Sequence, residues 1–142
     1  MTQSVQNMLS KRFDQICFVV EDLQQAMDFF SKTNGVEVWN VAEGLSQTQK
    51  EKEYYGQGKG PHHIGFRQKD AAEYAQAEQH YLDLGIAKAM AGFFEGPFGN
   101  CRWAYFDTRD QIGCFTELYY VDGELDQRMS ELKSGKNVSI TD

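Results

Sequence analysis

The sequence predicts an α+β domain made of two related strand–helix–strand units, the first of them shortened. Three observations predict it. Apolar residues recur at period two in some segments and at helical spacing in others. The chain matches itself at an offset of 48 residues. The second copy is followed by three more strand-sized runs. With 142 residues there is room for one domain, and 41% hydrophobic residues supply enough apolar surface for a core.

The first unit opens with residues 13–20, a strand by its β-branched and aromatic content. Asp22 then caps a helix whose apolar positions Leu23, Ala26, Met27 and Phe30 share one side. Gly35 ends that helix, and residues 36–41 alternate like a half-buried strand. Shifted by 48, Gln15 falls on His63, Ile16 on Ile64, Phe18 on Phe66 and Asp22 on Asp70. A helix over 71–84, Gly85 and Ile86 follow in the same order, which is the signature of a duplication. Strands are then expected over 87–93, 101–106 and 113–121, separated by turns at 95–100 and 107–113. The matching part of the first copy, 43–60, is polar and holds no such pattern; residues 46–55 read as a short helix or an extended connection. Leu125, Met129 and Leu132 mark a small amphipathic helix, and 134–142 reads as a tail.

Composition excludes several function classes. Fourteen Lys and Arg against twenty-one Asp and Glu leave a net charge of −7, with no basic cluster to meet a phosphate backbone, so no nucleic-acid partner is expected. Apolar runs such as 16–20 are far shorter than the roughly 20 residues that span a bilayer, so no membrane partner is expected. The polar start, 1–12, lacks the apolar stretch of a signal peptide, and a cytoplasmic location is expected. Cys17, Cys101 and Cys114 are odd in number and show no CxxC spacing, which reads as reduced, packed thiols. Cys101 stays open as a nucleophile, since that role depends on a neighbouring base.

Strand periodicity selects the candidate site. Gln15 shares a face with Cys17 and Val19, and His63 takes the place of Gln15 in the second copy, so each unit carries one metal-capable side chain at the same position. Glu117 lies between Thr116 and Leu118 in an otherwise apolar strand, where a carboxylate is costly unless paired or bound to an ion. An amide oxygen, an imidazole and a carboxylate form a mixed N/O donor set that suits Zn, Ni, Co, Mn or Fe(II). Each residue also has a structural alternative: Gln15 a cross-sheet hydrogen bond, His63 a packed histidine, Glu117 an ion pair with a cation such as Arg102. His62 is expected on the opposite face from His63, and His80 on a solvated helix flank. Much of the aromatic set, including Trp39, Phe93, Trp103, Tyr105 and Tyr119, reads as core, with part of it lining a pocket.

The runs Phe13-Asp-Gln-Ile-Cys-Phe, Pro61-His-His-Ile-Gly-Phe, Trp103-Ala-Tyr-Phe-Asp-Thr and Phe115-Thr-Glu-Leu-Tyr together resemble the vicinal oxygen chelate superfamily, the glyoxalase and bleomycin-resistance group. The resemblance covers about residues 12 to 121. It implies paired βαβββ modules forming a cupped mixed sheet, with the first module truncated: an arm at 1–12, module one at 13–60, module two at 61–121, and a C-terminal helix and tail at 122–142. It implies a divalent metal held by Gln15, His63 and Glu117; no residue is identified as a general base by the sequence, and Glu117 is the candidate catalytic residue, able to serve by loosening from the metal. The family's fourth ligand falls on the last strand of module one, which has no counterpart here; Glu51 and Glu53 do not match its motif. The function implied is a metal-dependent lyase or isomerase acting on a small carbonyl-bearing molecule. The alternative is a metal-free protein of the same fold that binds or sequesters a small molecule. Unpaired edges left by the missing strands imply a homodimer.

Overall fold

A computed structural model describes residues 13–39, 41 and 60–141. They form five strands and four helices, named here in chain order: β1 (Phe13–Val19), α1 (Leu23–Asn34), β2 (Gly60–Arg67), α2 (Ala71–Asp83), β3 (Lys88–Gly96), β4 (Gly99–Phe106), α3 (Arg109–Ile112), β5 (Phe115–Val121) and α4 (Gly123–Lys133). The strands make one mixed sheet in the order β1-β2-β5-β4-β3. Only β2 and β5 run parallel; the other neighbours are antiparallel.

The duplication read from the sequence is physical. Asp22 and Asp70, 48 residues apart, both cap a helix by accepting a hydrogen bond from the backbone N–H three residues on, at 2.9 Å in each case. Gly35 closes α1 in the left-handed conformation. The two equivalent strands, β1 and β2, pair antiparallel with Ile16 opposite Ile64, so each isoleucine faces its own counterpart. A local pseudo-twofold axis therefore passes between the two copies.

Sheet periodicity sorts the side chains into two layers. On one face Leu118, Tyr120, Ala104 and Phe106 pack against Tyr74 and Ala77 of α2, joined by Phe66, Tyr81 and Ile86. This is the main core, and Phe106 and Leu118 are fully enclosed in it. On the other face Tyr119 and Val121 meet Leu125 of α4, with Phe94, Cys101, Trp103 and Met129 around them. The start of α4 is docked on the β3–β4 hairpin: Leu125 N–H donates to the Phe98 carbonyl at 2.7 Å. The Asn100 N–H donates to the Asp122 carboxylate, also at 2.7 Å. Gly123, at φ 64°, makes that approach possible, because a Cβ there would stand 2.6 Å from the Phe98 carbonyl oxygen.

Several expectations need correction. Residues 36–39 form no strand, although they alternate; Val38 and Trp39 stay exposed, and no described strand lies beside them to complete a ladder. The stretch 95–100 is mostly strand, closed by a two-residue turn at Pro97 and Phe98. The turn at 107–113 holds the short helix α3, whose approach Asp107 steadies by accepting from the Arg109 guanidinium at 2.6 and 2.7 Å. The expectations for 1–12 and 46–55, together with Glu51 and Glu53, lie outside the described residues. Among the described residues, no helix is long and apolar enough to cross a membrane.

Leu118 lies at the centre of the main core with 0% exposure. The Leu118→Ala protein is expected to lose about 3 kcal/mol of stability, the range typical of an enclosed leucine, as read from the midpoint of urea unfolding.

Candidate metal centre

Gln15, His63 and Glu117 come together on the face of the sheet that also carries Tyr105 and Tyr119. The reason is register. Gln15 stands opposite Gly65 and Cys17 opposite His63, so the pseudo-twofold that exchanges Ile16 and Ile64 also carries Gln15 onto His63. Related donors thus sit diagonally across one antiparallel pair, within side-chain reach of each other. Gly65 pairs on its other side with Glu117, which in turn pairs with Tyr105. One row across the sheet therefore reads Gln15, Gly65, Glu117, Tyr105.

Gly65 is the gap that closes the site. With no side chain between them, Gln15 lies over the glycine and its amide nitrogen donates to the Glu117 carboxylate. A Cβ at Gly65 would stand 2.5 Å from Gln15 Cγ. His63 Nε2 is 3.3 Å from Glu117 Oε2 and 3.4 Å from the Gln15 amide nitrogen. His63 is 5% exposed and Glu117 6%, so the carboxylate is buried among partners, as its place in an apolar strand requires. Arg102 is not one of those partners: it lies opposite Tyr120 and so faces the α2 side of the sheet.

Three further features escaped the sequence reading. His62 does not face away from His63. It is buried beside it, with the two Nδ1 atoms 2.8 Å apart, and its ring stacks near Tyr105 and Phe115. The irregular pairing between Cys17 and Phe18 breaks strict alternation at this end of β2. A second irregularity between Phe13 and Gln15 re-aims Asp14, which accepts a hydrogen bond from the Tyr119 hydroxyl. Burial, then that hydrogen bond, push the Tyr119 phenol well above its ordinary range. His80 is half-buried, not solvated, and its Nε2 is enclosed in the α2 side of the sheet. The glycine inside Pro61-His-His-Ile-Gly-Phe was the available signal for Gly65, since a glycine in a strand interior often marks a close approach.

All three cysteines are free thiols. Burial, and next the Glu117 charge, push Cys101 up to about 11, which makes it a poor nucleophile at neutral pH. A groove of about 680 Å³ between β1 and α1 is lined by Phe18, Val20, Ala26 and Phe30. It opens on the opposite side of β1 from Gln15.

Two of the three donor spacings suit a divalent ion, and the direct Gln15–Glu117 hydrogen bond is the contact that an entering ion would replace. Two donors each about 2.1 Å from one ion stand roughly 3.0 Å apart at a right angle and 3.4 Å at the tetrahedral angle. The 3.3 and 3.4 Å spacings at His63 Nε2 match that range. A half-turn of the Gln15 amide exchanges its nitrogen for its oxygen, the atom that can bind a cation.

The described strands form an open mixed sheet in which one β-α-β-β-β unit is preceded by an equivalent strand and helix, the arrangement of the vicinal oxygen chelate fold. Solved structures with this arrangement include a variant of Streptomyces coelicolor methylmalonyl-CoA epimerase in complex with 2-nitronate-propionyl-CoA. It is 22% identical, with 77% of this chain and 93% of that chain covered at a TM-score of 0.53. A methylmalonyl-CoA epimerase in complex with methylmalonyl-CoA and NH4+ aligns at 21% identity, the same coverage and the same TM-score. The Mycobacterium tuberculosis methylmalonyl-CoA epimerase aligns at 15% identity over 82% of this chain and 91% of that one, again at 0.53. No family model and no curated protein matches the sequence. At these identities the likeness establishes the fold.

The contact over Gly65 can be tested by a double-mutant cycle. Gly65→Ala should cost about 1–3 kcal/mol in denaturant unfolding, because the added methyl displaces Gln15. Adding Gln15→Ala should recover more than half of that loss through coupling between the two positions.

Proposed function

We propose that this chain is a metal-dependent isomerase that moves a proton at the carbon beside a carbonyl of a small molecule. An acyl-CoA thioester is the first substrate to try. The observation that carries the reading is the convergence of Gln15, His63 and Glu117 from β1, β2 and β5 into one buried donor set. The fold supports it, since solved structures that share it include epimerases with CoA-linked ligands.

Gln15 Oε1, His63 Nε2 and a Glu117 oxygen would hold the ion. Bound there, a divalent metal supplies Lewis acidity that polarises a carbonyl and favours proton loss from the adjacent carbon. The protein's own part is positioning and proton handling. Glu117 has two oxygens, so one could stay in the donor set while the other takes the substrate proton and delivers it to the opposite face of that carbon or to the neighbouring atom. His63 and Gln15 orient that carboxylate, and its burial keeps bulk water from it. Asp14 and Tyr119, further along the sheet, form a second hydrogen-bonded pair. The metal-free binding alternative rests on the same three residues, with His63 and Glu117 acting only as hydrogen-bonding groups.

Protein purified without chelator is expected to hold close to one equivalent of a divalent transition metal and to exchange the C2 proton of methylmalonyl-CoA in D2O, followed by NMR. Glu117→Gln should slow that exchange by about 10²–10⁴, the usual weight of a general base. Less than about a tenth of an equivalent of metal after reconstitution, with ligand binding that survives His63→Ala, would instead establish the metal-free alternative.

We propose further that the chain is a homodimer in a reducing, cytoplasmic setting. Among the described residues β1 ends the sheet with an open edge, and Phe13, Ile16 and Phe18 on it are about half exposed. Light scattering at micromolar concentration should give twice the chain mass, and a monomeric mass would reject the dimer.

A further inference from the structure

The His63 ring presents two nitrogens, and the donor set described above uses one. Nε2 faces Glu117 and Gln15 at 3.3 and 3.4 Å. Nδ1 faces His62 Nδ1 at 2.8 Å. Cys17 is the register partner of His63 on β1 and lies on the same face of the sheet. One ligand-capable atom from each of Cys17, His62 and His63 falls within 4.8 Å of the others. Both histidines are buried and the cysteine is half-buried. The isomerase reading uses neither Cys17 nor His62.

We propose that Cys17, His62 and His63 form a second metal site, selective for a thiophilic cation such as zinc and taking His63 through Nδ1. One thiolate with two imidazoles is a softer set than amide, imidazole and carboxylate, and favours zinc over magnesium or manganese. Two nitrogens on a single zinc stand about 2.9–3.4 Å apart, so the 2.8 Å spacing of the two rings needs only a small opening. Cys17 gives up its S–H proton to solvent as the sulfur–metal bond forms, and the remaining position is left for water.

Sharing one imidazole makes the two sites exclusive. A neutral imidazole has a single lone pair. A cation on Nδ1 leaves the ring proton on Nε2, where it points at Glu117 and donates to it. Zinc in the soft site thus withdraws both His63 and Glu117 from the other donor set, and a thiophilic ion becomes an inhibitor of the proposed isomerase. The zinc site itself does not depend on that isomerase reading; only the inhibition does.

The full chain, stripped of metal and kept reduced, is loaded with one equivalent of zinc for X-ray absorption and of cobalt(II) for optical spectra. One sulfur scatterer at about 2.3 Å from zinc and a near-ultraviolet thiolate-to-cobalt charge-transfer band are expected. Cys17→Ser should abolish the band and lower zinc affinity at least tenfold, and His62→Ala should lower it by about 10–100-fold. The Cys101→Ser/Cys114→Ser protein should keep the band. Glu117→Gln, which disables the proposed isomerase, should keep it too, so failure of that activity and failure of this site are told apart. A zinc shell of nitrogen and oxygen alone in the wild-type protein overturns the proposal without relying on any variant's folding. So does a band that survives Cys17→Ser or vanishes with Glu117→Gln.

Discussion

Ile16 and Ile64 occupy equivalent places in the two copies of the repeated unit and stand opposite one another where β1 pairs with β2. That register governs the rest of the chemistry. Because side chains alternate with period two, placing the isoleucines together on one face puts Gln15 and His63 on the other, one step either side of the pseudo-axis. A slip of one residue would turn Gln15 toward the α2 side and bring Asp14 or Ile16 to the donor row. The pairing is backed by burial: Phe66 and Ile64 on β2 lie toward the packed layer under α2, so β2 cannot rotate without exposing them.

A buried carboxylate is tolerable in this sheet only because its neighbours are arranged around it. Glu117 sits between Leu118, which is fully enclosed, and Thr116, whose hydroxyl meets Thr108 at 2.9 Å. Desolvating a carboxylate is expensive, and the amide of Gln15 and the ring of His63 offset that cost. Stability and site are thus coupled: the donors that would hold an ion are also the groups that let β5 remain buried. On the same face α4 covers Tyr119 and Val121, and the Arg67–Asp126 pair at 2.5 Å ties β2 to that helix. The C-terminal helix therefore closes part of a face that would otherwise be open.

Much of this was legible before any coordinates. The helix caps Asp22 and Asp70, the glycine after α1, the alternation of β5 and the 48-residue repeat are local patterns, and each survives in the structure. Gln15, His63 and Glu117 were selected from strand phase and from a family resemblance, and all three meet. Residues 36–39 show where pattern misleads: Val36 and Val38 alternate with polar neighbours, yet a strand needs a partner edge as well as a rhythm. His62 misleads for a related reason. Strict alternation sends it away from His63, and the break in pairing beside Cys17 brings it back.

By itself the sequence determined most of the strands and helices, the face shared by Gln15 and Cys17, and that one donor-type residue recurs in each copy. These depend on residue type and spacing along a few turns of chain, so they can be read one segment at a time. Only the tertiary structure decided that Gly65 is the space through which Gln15 reaches Glu117, that Asp14 meets Tyr119, and that Cys17 and His62 gather beside His63. Those contacts arise between strands distant in sequence, from register, bulges and the absence of a single Cβ, and no local pattern specifies where two strands will align.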